Sequence, residues 1–155
     1  MSCEGCPSQG KCGKSSETCG IQSNPDNHIK NIITVMSGKG GVGKSTVTVM
    51  LAKAMVKKGL KVGIMDADIT GPSIPRLLAL SNEHAFGNEK QQLIPVESKE
   101  GIKVMSLNFL VQAESDPVIW RGPVIGGVVK QFYTDVVWGD LDVLLIDMPP
   151  GTGDV

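Results

Sequence analysis

Nine consecutive residues, Gly38-Lys39-Gly40-Gly41-Val42-Gly43-Lys44-Ser45-Thr46, have the spacing of a phosphate-binding loop, with four residues between the first glycine and Gly43-Lys44-Ser45. Glycines here let successive backbone N–H groups converge on phosphate oxygens without Cβ clashes. The helix expected to follow adds the partial positive charge of its N-terminus. Lys44 brings a full charge to the β and γ phosphates. Ser45 offers a hydroxyl to Mg2+, and Thr46 can donate to the α phosphate. The chemistry implied is the binding of a nucleoside triphosphate such as ATP.

Three aspartates stand where such a ligand needs them. Asp66 and Asp68 directly follow the apolar run ending at Met65, and Asp147 closes the run Leu141 to Ile146. In an open parallel sheet, ligands bind at the carboxyl ends of the strands. From the end of a strand, an aspartate in the place of Asp147 holds Mg2+ or its water shell. A single aspartate at a strand end is more often a cap or turn former. Three of them beside a phosphate loop favour a nucleotide site.

Cys3, Cys6, Cys12 and Cys19 form a second centre of chemistry, confined to the first 19 residues. In a reducing compartment such thiols read as metal ligands before they read as disulfides. Soft thiolates suit Zn2+ and iron–sulfur clusters alike, and unliganded, redox-labile cysteines are a third reading. Residues 1–28 contain almost no large apolar side chain, so they are expected to be a tail ordered by metal rather than by a core.

The elements that must position these residues follow from the apolar pattern. Ile32 to Met36 is a nearly continuous apolar run, as expected for a strand buried on both faces. Lys44 to Lys58 is rich in helix formers and stops at Gly59. Lys61 to Met65 is a second strand, parallel to the first through a right-handed crossover. Further elements are expected at Ser73 to Leu80 (short helix), Ile102 to Leu107 (strand), Pro123 to Trp138 (helix opened by its proline) and Leu141 to Ile146 (buried strand). Residues 81–100 read as a polar excursion with weak strand character. Met36, Met50, Met55, Met65, Met105 and Met148 read as core filler. The alternation makes a doubly wound, mostly parallel α/β sheet the expected fold, with residues 29–155 as one domain behind the tail.

Bulk properties narrow the partners. The 155 residues carry 15 basic and 16 acidic side chains, which argues against a general attraction to nucleic acid or to an anionic membrane. No apolar stretch approaches the length of a membrane span, and the polar start lacks the apolar core of a signal peptide, so the cytoplasm is the expected location.

Lys39, directly after the first glycine, is not required by the general loop pattern. With it, the loop resembles the deviant phosphate loop shared by MinD, ParA, ArsA, the nitrogenase iron protein and the Mrp/ApbC ATPases. Three further stretches resemble the Mrp/ApbC family specifically: Val62 to Pro75, with Asp66-Ala67-Asp68 and Gly71-Pro72-Ser73; Trp120-Arg121-Gly122-Pro123; and Asp147-Met148-Pro149-Pro150-Gly151-Thr152-Gly153-Asp154. The resemblance spans about residues 30–155. It implies a homodimeric P-loop ATPase that carries an iron–sulfur cluster, of the 4Fe-4S type, to apo-proteins. By the same resemblance Lys39 reaches the phosphates of the partner protomer, and Asp68 orients the attacking water. Asp66 and Asp147 support the metal, and Gly151 offers an N–H to the γ phosphate.

Cys3-x2-Cys6-x5-Cys12 resembles the last three ligands of a four-cysteine cluster motif in eukaryotic cytosolic relatives. The first ligand of those relatives lies upstream of the other three, and here Cys19 is expected to take the fourth place from downstream, a departure from the family pattern. Sheets of this superfamily continue beyond the position of Val155, and family members carry a further Cys-x-x-Cys pair. The chain is therefore expected to be the N-terminal portion of a longer protein, with an incomplete sheet that leaves it poorly stable alone. Two other readings are a MinD/ParA-type positioning or partition ATPase and a non-catalytic metal-binding fragment.

Overall fold

The computed structural model describes residues 24–68, 73–88, 92–109 and 125–151. Strand β1 (His28–Val35) leads through the glycine loop into helix α1 (Lys44–Lys57), and β2 (Val62–Asp66) follows. After a four-residue helix α2 (Ile74–Leu77) come three two-residue strands: β3 (Phe86–Gly87), β4 (Leu93–Ile94) and β5 (Val96–Glu97). Strand β6 (Lys103–Ser106), a 3-10 turn (Leu107–Phe109), helix α3 (Ile125–Thr134) and strand β7 (Asp140–Asp147) complete the described elements. The main sheet has the order β1-β7-β2-β6-β5, parallel except for β5, while β3 and β4 form a separate hairpin. This is the expected mostly parallel α/β fold.

The sheet carries a core on each face. On one, Val49 and Ala52 of α1 and Ile74 of α2 pack on Val62, Ile64, Val104, Val143 and Leu145. On the other, Phe132 of α3 and Trp138 pack on Met65, Met105, Leu141, Leu144 and Ile146. Strands β2, β6 and β7 thus bury alternate residues on opposite faces, which is why their sequences are apolar without alternation. Gly63 makes the second face possible: a Cβ there would stand 2.7 Å from Leu141 Cδ1 and 3.1 Å from Trp138 Cε3.

Several expectations need correction. Strand β1 lies at the edge of the described sheet with only β7 beside it, so Ile32 and Ile33 remain 47% and 38% exposed rather than buried on both faces. Met65 and Met105 are core residues, but Met36 and Met50 are exposed, Met50 because it lies on the face of α1 turned away from the sheet. Helix α2 stops at Leu77, and Ala79 then takes a left-handed backbone (φ 57) that ends the turn. Helix α3 stops at Thr134 rather than Trp138. There Val136 bridges to Leu93, and Trp138 folds back to donate its Nε1–H to Phe132 O at 3.0 Å. Residues 81–100 do contain the weak strands expected of them.

Candidate functional site

Between β1 and α1 the chain must turn sharply while keeping its amides free. Gly41 (φ 75) and Gly43 (φ 89) adopt left-handed backbone that side chains resist, so glycine is needed at both positions. Gly43 opens α1 with no side-chain cap, and the first turn holds no acidic residue. The N–H groups of Lys44, Ser45 and Thr46 therefore have no intrahelical acceptor and add to the positive helix end. They border a cleft of about 470 Å³ that is also lined by Lys39, Gly40 and Asp68.

The sheet supplies the opposite charge. Asp147, Asp66 and Ser106 are in register across three neighbouring strands, at the carboxyl ends of β7, β2 and β6. They continue the residue columns that pack against α1, so the apolar face ends in a buried polar row beside the loop. Asp147 and Ser106 are fully buried and Asp66 is 1% exposed. Asp147 Oδ2 lies 2.8 Å from Lys44 Nζ and accepts the Ser45 hydroxyl at 2.6 Å. Its Oδ1 accepts the Thr48 hydroxyl at 2.9 Å. Lys44 Nζ is also 3.6 Å from Asp68 Oδ2.

Asp66 is differently engaged. Its Oδ1 accepts the Asp68 N–H at 3.2 Å and its Oδ2 accepts the Ser106 hydroxyl at 3.1 Å. Burial, reinforced by the charge of nearby Asp147, pushes its carboxyl up to about 7 against the pull of these hydrogen bonds. The Asp66 carboxylate is thus tied to β6 and to the backbone of Asp68, whereas Asp147 faces the loop.

The structure brings Gly40, Gly41, Gly43, Lys44, Ser45, Thr46 and Asp68 together at one cleft, with Asp147 buried behind Lys44 and Ser45 and Lys39 exposed at the border. Gly38 and Val42 are exposed on the loop. The Gly151 N–H, expected to meet a phosphate, donates to Ser37 O at 2.9 Å. Cys3, Cys6, Cys12 and Cys19 lie outside the described residues, as do Trp120 to Pro123 and Thr152 to Asp154. Sequence reasoning missed Thr48 and Ser106. Thr48 sits one helical turn beyond Lys44 on the same face, and Ser106 ends its strand as Asp66 and Asp147 end theirs.

The donor set suits Mg2+: Ser45 and Asp147 are hard oxygen ligands, and Mg2+ ordinarily takes one or two protein oxygens and completes its shell with phosphate and water. No cluster of three or more His, Cys, Asp or Glu able to hold a metal occurs among the described residues. A larger open depression, about 730 Å³, lies at the opposite edge of the sheet near Lys30, Lys61 and Asp142, far from every residue assigned to nucleotide chemistry. No described helix is long and apolar enough to cross a membrane.

Comparison with known proteins places this geometry in a family. Over 99% of its length the chain is 48% identical to an iron–sulfur cluster carrier protein of Clostridium perfringens, spanning 59% of that protein. The iron–sulfur cluster transfer protein NUBPL of Dictyostelium discoideum is 52% identical over 81% of this chain and 39% of its own. The chain spans about half the length of the first curated relatives it matches. Among solved structures, a nucleotide-binding protein from Archaeoglobus fulgidus in complex with ADP matches at 50% identity and a TM-score of 0.70, covering 81% of this chain and 47% of that one. MinD in the MinC:MinD complex of Aquifex aeolicus, at 24% identity and a TM-score of 0.50, shares the fold. Residues 28–155 match the ParA family model described as NUBPL iron-transfer P-loop NTPase, and with this loop, this row of aspartates and these relatives, the chain belongs to that family.

Proposed function

We propose that this chain is the nucleotide-binding portion of an ATP-hydrolysing, Mg2+-dependent carrier that holds an iron–sulfur cluster and delivers it to apo-proteins. The observation that carries the nucleotide half is the buried Asp147 carboxylate, paired with Lys44 and Ser45 beside an uncapped helix terminus. A buried ion pair contributes little net stability once desolvation is counted, so this one is better explained by exchange with a ligand. Phosphate oxygens would draw Lys44 and the free amides of α1 to themselves, and Ser45 and Asp147 would hold the cation. Bound Mg2+ would supply charge neutralisation across the β and γ phosphates.

The remaining roles follow from position. Asp68, at the cleft and within reach of Lys44, orients the water that attacks the γ phosphate. Asp66 supports the metal site as the in-register neighbour of Asp147. Gly151 gives its N–H to phosphate in exchange for Ser37. Lys39, exposed at the cleft border, reaches the nucleotide of a second copy in a homodimer. The cluster is cargo, taken up by the thiolates of Cys3, Cys6, Cys12 and Cys19. A cytosolic location agrees with relatives named cytosolic Fe-S cluster assembly factor.

The test is anaerobic reconstitution with iron and sulfide, comparing wild type with a variant whose four cysteines are replaced by serine. Bound iron and broad visible charge-transfer absorption that vanish with the cysteines are the expected result. Zinc in place of iron, or no metal at all, would replace the carrier reading with a structural tail or a positioning ATPase.

A further inference from the structure

Asp147 has two oxygens, and their partners differ in kind. Oδ2 is shared by Lys44 Nζ and Ser45 Oγ, the two groups a nucleotide and its cation would claim. Oδ1 accepts a hydrogen bond from Thr48, a residue without a direct role in the function proposed above. We infer that Thr48 is a positioning residue that fixes the rotation of the Asp147 carboxylate and so sets its affinity for the divalent cation accompanying the nucleotide. This rests on the nucleotide-binding reading of the site.

The Thr48 hydroxyl has a choice of acceptors, since Lys44 O is 3.1 Å away, the usual resting place for a helical threonine. The carbonyl is a neutral acceptor inside a helix that already supplies it with a donor, whereas the carboxylate is charged. Thr48 and Asp147 are both fully buried, so water cannot replace the hydroxyl. With Lys44 and Ser45 turned to the ligand, Thr48 still holds Oδ1, and Oδ2 is the oxygen left facing the loop. Lacking that anchor, the carboxylate would rotate or withdraw, and the cation site would lose a ligand in the right place.

Thr48→Val removes the hydroxyl at constant shape, and Thr48→Ser keeps it. Two measurements separate cation binding from nucleotide binding. Titration of Mn2+ into ADP-saturated protein is followed by the electron paramagnetic resonance of free Mn2+, and calorimetry of ADP is run in EDTA. The expected result is Mn2+ binding weakened about tenfold in Thr48→Val, the size of effect typical of residues that orient metal ligands. Thr48→Ser should stay within about twofold of wild type, and ADP affinity in EDTA should be unchanged in both. Equal Mn2+ affinity in wild type and Thr48→Val overturns the inference and leaves the nucleotide site standing. Loss of ADP binding in EDTA by Thr48→Val also overturns it, since the hydroxyl would then be shaping the loop. A wild type that binds neither ADP nor Mn2+ removes the functional reading and the role of Thr48 with it.

Discussion

The two ends of the parallel sheet use the same residue types to opposite effect. At the carboxyl end Lys44 meets Asp147 at 2.8 Å with both side chains buried, and at the amino end Lys30 meets Asp142 at 2.7 Å with the lysine 74% exposed. The shorter contact matters less. In water the Lys30 pair is screened and largely replaceable, although each partner still moves the other's titration, Lys30 upward and Asp142 downward, mainly through their hydrogen bond. Inside the protein, Asp147 cannot lose Lys44 without leaving a buried charge short of its counter-ion. Burial, not distance, separates the two ends of the sheet, and the larger depression lies at the end with the exposed pair.

The sharpest way to break this contrast is Lys44→Ala. It should weaken ATP binding by about 100-fold or more, as befits loss of a charge-assisted contact to phosphate, in calorimetry with and without Mg2+. Unchanged affinity would place the nucleotide elsewhere.

Asp66 gives the next largest effect. Its folded carboxyl is raised to about 7, so between the ordinary carboxylate range and neutrality the native chain holds a proton that the unfolded chain releases. The contribution of Asp66 to stability should therefore be fully present in acid and be lost as pH rises toward 7, on the order of 1 kcal/mol per pH unit at most. Asp66→Asn should remove that component from denaturant midpoints measured without nucleotide or metal. An Asn variant with the same slope as wild type through that window would refute it.

Ser106→Ala comes third. Loss of its bond to buried Asp66 should cost about 1 kcal/mol and extend the fall in stability to higher pH, because the hydroxyl favours the ionised form. Lys30→Ala closes the series with no resolvable shift of the urea midpoint. A shift comparable to that of Ser106→Ala would show that the amino end is less water-like than its exposure implies.

How far these contrasts were readable in the sequence depends on how local their causes are. The loop was legible because Gly38 to Thr46 are neighbours along the chain and their conformational needs are written in residue type. Asp66, Asp68 and Asp147 were legible as strand ends. What could not be read was which strands lie side by side: β7, 74 positions after β2 ends, inserts between β1 and β2, putting Asp147 next to Asp66 and leaving Ile32 and Ile33 on the edge strand. Ser106 and Thr48 were invisible for the same reason, as ordinary residues that neighbour an aspartate only after folding. The end of α3 misled because Val136, Val137 and Trp138 continue an apolar pattern, while a contact with Leu93 far back in sequence draws the chain out of the helix.

Gly63 shows how little material can set a dimension. Any atom beyond hydrogen at this position would drive a wedge into Leu141, Leu144 and Trp138 together. Trp138 is moored to α3 through Phe132 O, so the displacement would pass to the helix instead of being absorbed where it arose. The smallest residue in the chain thereby acts as a gauge for one of its largest, fixing the height at which α3 rides above the strands.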